Sequence, residues 1–158
     1  MMEISNIFSS HYNQLLVKVC NKVNYALLFY WEKLVLQLLT IAGGGALGAV
    51  LRFGISSYVY SLLGRDFPYG TIAVNMIGSL LMGLLFVLFV ERGLVSAEWR
   101  SAIIIGFLGA FTTFSTFSIE TLMLVESGEL TRAAMNVVLS VTLCLFATWF
   151  GLIIGRHI

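Results

Sequence analysis

Charge is scarce in this chain. Asp, Glu, Lys and Arg make up 11% of its 158 residues, where an ordinary soluble domain carries about 25%. The net charge of +1 leaves no basic surface for nucleic acid and no acidic tail. Cysteine is nearly absent. Cys20 and Cys144 are too few and too far apart for a disulfide or metal framework, and Cys144, inside an apolar run, reads as a small buried hydrophobe. His11 and His157 sit near opposite ends of the chain, which argues against a histidine-based metal or catalytic site. Pro68 is the one proline, and it falls in a connection between apolar runs.

What fills the chain instead is apolar side chain, 59% of all positions, with a mean hydropathy of +0.95. So short and apolar a chain cannot hide its hydrophobic surface in one water-soluble core. Lipid must cover the rest. The charges mark the spans: Leu34 to Leu51, with the helix able to run past Arg52 toward Tyr60, then Phe67 to Val90, Ser101 to Ile119 and Ala133 to Gly155. Crossing the hydrocarbon takes about 20 helical residues, so the first and third runs are expected to extend past a flanking charge. Trp99 and Trp149 stand near run ends, where interface anchors belong. The connections are short, with Gly64 to Pro68, Glu91 to Arg100 and Glu126 to Glu129 leaving no room for an inserted soluble domain. The expectation is an all-α membrane protein of four transmembrane helices occupying residues 34–158.

Residues 1–33 are an N-terminal extension of unknown role. The stretch Asn6 to Asn24 is polar and mixed, and Tyr25 to Trp31 is aromatic but too short to span. It lacks the regions of a signal peptide; an interfacial helix and a start codon assigned too far upstream both fit. Four spans put Lys18, Lys22, Lys33, Arg92, Arg100 and Arg156 on one side and Arg52, Arg65 and Arg132 on the other. Without the extension's Lys18 and Lys22 the count is four against three, which gives almost no orientation by the positive-inside rule. Insertion in both directions and the scatter of a small count explain this equally well.

Polar groups inside a span are costly, so their placement is informative. Thr71, Asn75 and Ser79 recur every four residues in the second span, and Asn136, Ser140, Cys144 and Thr148 do so in the fourth. Two such stripes can line a polar path or bond helix to helix. In the third span, Gly106 to Phe111 leads into Thr112-Thr113-Phe114-Ser115-Thr116-Phe117-Ser118, and Thr113 is the midpoint of Ser101 to Val125. Glycine and β-branched threonine weaken a helix there. A helix broken at membrane depth needs partners for its freed carbonyls, and an alkali cation is one such partner. A continuous helix whose hydroxyls bond back to the previous turn is the alternative. Phe114 and Phe117 share a face; they are packing, or they aim electropositive ring edges at a path. Gly44 and Gly48 form a small-xxx-small contact rather than a phosphate loop. Arg52 and Glu120 end the first and third segments as snorkelling or vestibule charges.

Three motifs in order, one per helix, carry a resemblance: Gly44-Gly45-Ala46-Leu47-Gly48-Ala49-Val50-Leu51-Arg52, Gly70-Thr71-Ile72-Ala73-Val74-Asn75-Met76-Ile77-Gly78-Ser79, and Gly106-Phe107-Leu108-Gly109-Ala110-Phe111-Thr112-Thr113-Phe114-Ser115-Thr116-Phe117. From about Leu36 onward the chain resembles the CrcB/Fluc fluoride channels. The resemblance implies a multi-pass protein of the bacterial inner membrane, an antiparallel (dual-topology) homodimer in the lipid bilayer with a broken third helix. It implies two fluoride pathways and a structural sodium ion at the dimer axis, exporting fluoride passively. By it, Asn75, Phe114 and Phe117 match pore residues, and Ser115, Thr116, Ser140 and Thr148 the polar tracks. Gly109 and Thr112 match positions whose carbonyls hold sodium, and Glu120 an acidic vestibule position. Cys144 departs from it, standing where a hydroxyl is expected, and the extension has no counterpart. The absence of Lys and Arg well inside the last three spans fits conduction, because a permeating ion must be bound weakly enough to leave.

The main rival is a small multidrug-type transporter, also of four helices and dual topology, but proton coupling needs a membrane-embedded carboxylate that Leu34 to Leu51 lacks. A non-transporting helical subunit would explain the glycines but not the hydroxyls at mid-span. No nucleophile–base pair or metal set can be assembled for an enzyme.

Overall fold

Glycine spacing decides how these helices meet, because lipid is as apolar as leucine and only close backbone approach rewards association. The computed structural model describes the backbone of residues 2–158 and the side chains of Tyr25 and residues 27–158. Helix α1 covers Met2–Leu63 and α2 Tyr69–Phe86, with a π-helical turn continuing to Glu91. A short α3 at Ala97–Arg100 runs through π-helical turns over Ser101–Leu108 into α4, Gly109–Phe111. Helix α5 is Phe114–Glu126 and α6 Leu130–His157.

Four stretches are long and apolar enough to cross a membrane: Leu27–Leu63, Tyr69–Glu91, Ala97–Glu126 and Leu130–His157. Three of them are longer than the charge-free runs, and the second nearly coincides with Phe67 to Val90. Arg52 and Lys33 lie within the first, and Arg100 and Glu120 within the third, because a helix's length is set by its backbone bonding and a charge near its end does not stop it. The chain is a multi-pass all-helical membrane protein. Its outer surface agrees, with Phe53, Leu145 and Phe146 more than half exposed, as lipid contact requires.

The chain divides into two units, residues 1–38 and 39–158. In the first, Tyr25, Phe29, Tyr30 and Trp31 are exposed, and the Lys33 ammonium sits 4.7 Å from the centre of the Phe29 ring. The side chains of His11, Lys18, Cys20 and Lys22 lie outside the described residues, as do those of the whole polar stretch Asn6 to Asn24.

In the second unit α2 and α6 lie against each other along most of their length. A Cβ on Gly83 would overlap the Thr148 carbonyl, and one on Gly151 the Leu80 carbonyl. Gly44 and Gly48 of α1 likewise face the carbonyls of Ala102 and Phe107, so the first motif is a backbone contact with the third span. Val74, Val87, Leu108 and Phe111 fill the centre of this unit and are almost wholly buried. Gly64 and Gly128, with φ of 82° and 80°, end α1 and α5 in the left-handed conformation that glycine adopts without penalty.

Candidate functional site

The polar stripe of α2 faces the one residue pair of the third span that is not helical. Thr112 has ψ 158°, and Thr113 has φ −149° and ψ 111°, so both are extended between α4 and α5. Asn75 holds them there. Its Oδ1 accepts from the Thr113 N–H at 2.7 Å, and its Nδ2 donates to the Thr113 carbonyl at 3.0 Å. One side-chain amide thus replaces both backbone partners that a helix would have supplied to Thr113. Gly78, one turn on, has no Cβ to collide with the Thr112 methyl, which lets the extended pair approach α2.

The Thr113 hydroxyl then starts α5. It accepts from the Thr116 N–H at 3.2 Å as an N-cap and donates to the Thr116 hydroxyl at 2.9 Å, with Ser115 Oγ 3.3 Å away. Among the carbonyls that lose their usual helical donors as a result are those of Gly109 and Thr112. The Thr113 N–H that a continuous helix would direct at Gly109 goes to Asn75, and the Thr116 N–H due to Thr112 goes to the Thr113 hydroxyl.

Between α2, α5, α6 and this pair lies an open cavity of about 320 Å³. Asn75, Ser79, Thr112, Thr113, Phe114, Phe117, Ser140, Cys144 and Thr148 line it together with Gly78, Met82 and Val141, none of them charged. The Phe114 and Phe117 rings are 5.3 Å apart and tilted by 44°, and Phe114 is 78% exposed. Deeper, Asn136 is fully buried. It donates to Thr121 Oγ1 at 2.8 Å and accepts from Ser140 Oγ at 3.3 Å, joining the cavity wall to α5.

A second cavity of about 390 Å³ is lined by Tyr60, Arg65, Asp66, Phe67, Pro68, Glu120, Met123, Leu124 and Ser127. Here the Tyr60 hydroxyl donates to Glu120 Oε1 at 2.8 Å and lies 3.3 Å from Thr71 Oγ1.

The fold therefore gathers Asn75, Thr112, Phe114, Phe117, Ser140 and Thr148 around one space and sets Glu120 at another. Ser115 and Thr116 stand beside Thr113 outside that lining, and Gly109 is exposed one turn before it. Arg52, half-buried on α1, lines neither cavity. Among the described residues no group of three His, Cys, Asp or Glu side chains could hold a metal. Sequence reasoning placed Thr113 at the middle of the third span but gave it no role, although its backbone is what Asn75 grips, and it missed Tyr60, which no polar stripe contains. Asn136 was visible in the fourth-span stripe, but its partner Thr121 was not.

These features define a class: a helical membrane protein with an uncharged cavity between its spans, edged by amide and hydroxyl side chains. The chain belongs to the family described as CrcB-like protein, Camphor Resistance (CrcB), whose model matches residues 39–152. It is 54% identical over 123 residues to a protein of Methylococcus capsulatus named fluoride-specific ion channel FluC, a match covering 78% of this chain and 54% of that one. Proteins of the same name from Magnetococcus marinus and Coxiella burnetii are 50% and 52% identical over 123 and 122 residues, with 100% and 98% of their lengths matched. The chain thus spans about half of the Methylococcus relative and essentially all of the other two.

Proposed function

We propose that this protein is a channel, not an enzyme, that lets fluoride leave the bacterial cell passively through the inner membrane. The observation that carries the reading is the cavity around Asn75, Phe114 and Phe117, which is lined by amide, hydroxyl and aromatic side chains but no charge among the described residues. Fluoride is small and strongly hydrated, so it needs many weak substitutes for water. A fixed Lys or Arg would trap it. The names of the relatives in the same family support the same ion.

The working unit in this reading is an antiparallel homodimer with dual topology, supported by the four-against-three distribution of basic residues. Its third span is broken at membrane depth at Thr112 and Thr113, a break supported by their extended dihedrals and by the Asn75 clamp. The residues fit a structural sodium ion. Gly109 and Thr112 carry carbonyls whose helical donors are engaged elsewhere, and carbonyl oxygens are hard ligands suited to an alkali cation. Two such carbonyls from each subunit make four, and the ion, when bound, ties the two breaks together without travelling. Ser115 and Thr116 serve the polar track through their bonds to Thr113, and Arg52 and Glu120 are the vestibule charges.

The test is efflux from liposomes holding purified protein, with fluoride and chloride measured side by side. Fluoride should leave while chloride stays. Equal loss of both, or of neither, would refute the channel. Cysteine labelling at the C-terminus should find it on both membrane faces in comparable amounts, and a single orientation would contradict the antiparallel dimer. Exchange of sodium for a large organic cation should weaken the dimer, and unchanged stability and flux would remove the ion site.

A further inference from the structure

In the second cavity the two carboxyl oxygens of Glu120 have unlike surroundings. Its Oε1 receives the Tyr60 hydroxyl at 2.8 Å, while Oε2 is buried and has no partner among the described residues. The carboxyl is therefore turned inward and held by a single donor. That donor is built in with care. Tyr60 stands one turn before the end of α1, and its hydroxyl also meets Thr71 Oγ1 of α2, a side chain only 2% exposed. Its ring lies over Gly70, where a Cβ would come within 2.8 Å of the ring carbon bearing the hydroxyl. The Arg65 guanidinium sits 5.7 Å from the ring centre. Three helices thus converge on one phenol whose remaining task is to hold Glu120.

We propose that Tyr60 is a positioning residue for the ion path: by holding Oε1 it keeps the Glu120 charge turned away from the open side of the cavity, where it would repel an approaching anion. Tyr60 acts through Glu120 and does not touch the ion. Gly70, the first residue of the second motif, is bare because this ring occupies the space a side chain would need. The inference rests on the channel reading for its consequence on flux, but the contact itself is independent of it.

The experiment uses the full-length protein with Tyr60→Phe, which keeps the ring, the Gly70 contact and the Arg65 contact and removes only the hydroxyl. Fluoride efflux should fall by roughly five-fold, and the loss should vanish when Glu120→Gln is already present, because the two residues act as a unit. Efflux unchanged in Tyr60→Phe, or a loss that simply multiplies with that of Glu120→Gln, would overturn the inference. A second readout does not depend on transport: the Glu120 carboxyl stretch, taken as the infrared difference between the protein and Glu120→Gln, should shift when Tyr60 loses its hydroxyl. An unshifted band would overturn the positioning role. Wild-type liposomes that retain their fluoride would overturn the channel reading instead.

Discussion

Helix α6 and the segment from α4 to α5 are made of the same material and end up in different conformations. In α6, Thr142 and Thr148 donate to the carbonyls of Val138 and Cys144 one turn back, and the helix runs unbroken for 28 residues. Thr112, Ser118 and Thr121 do the same to Leu108, Phe114 and Phe117, yet Thr112 and Thr113 are extended. Hydroxyls that bond back therefore do not open a helix. The difference is Asn75, which offers an acceptor and a donor to the Thr113 backbone. Asn136, the comparable amide of α6, spends its side chain on the hydroxyls of Thr121 and Ser140 and leaves the backbone alone. An amide aimed at backbone opens a helix, and an amide aimed at side chains joins two.

That contrast can be broken at four points. The largest effect is expected from Gly83→Val, since even a Cβ there overlaps the Thr148 backbone. Separation of α2 from α6 should cost the folded state altogether, read as loss of the monodisperse peak in detergent, and recovery of normal yield would show that the contact yields. Next is Asn75→Ala, which strips both partners from Thr113. Buried backbone groups left unmet cost about 1–3 kcal/mol each, so the melting point should drop sharply along with flux. Asn75→Asp keeps the acceptor for the Thr113 N–H and should melt between the two. If Asn75→Ala melts like the wild type, the amide does not hold the extended pair. Asn136→Leu should be milder, about 1 kcal/mol, because interhelical side-chain bonds in membranes are individually weak. A loss as large as that of Asn75→Ala would mean the two amides are not different in kind. Smallest is Thr142→Val on the exposed face of α6, expected within about 0.5 kcal/mol of the wild type; a larger drop would show that back-bonding hydroxyls do govern helix continuity.

Much of the architecture was legible in the chain because lipid makes composition decisive: a charge-free run of sufficient length has few other uses. Four spans, their order and the short connections follow from where Arg, Lys, Asp and Glu stand. Their ends followed only approximately: the helix expected to pass Arg52 toward Tyr60 runs on to Leu63, and the run expected to close at Val90 takes a π-helical turn to Glu91. The site was legible in part. Every fourth residue of a helix shares a face by helical geometry, so Asn75 could be set with Thr71 and Ser79 on α2, and Ser140 with Thr148 on α6, by counting.

By itself, then, the sequence determined which residues lie on one face of one helix, because that is a matter of spacing. Which face meets which neighbour was decided only by tertiary structure. No spacing rule connects Asn75 to Thr113, 38 residues away, or Tyr60 to Glu120, 60 residues away. Those pairs exist because bare glycines such as Gly78 and Gly70 allow the extended pair and the Tyr60 ring to come close. A glycine states in the sequence that something will approach, but only the packed helices say what.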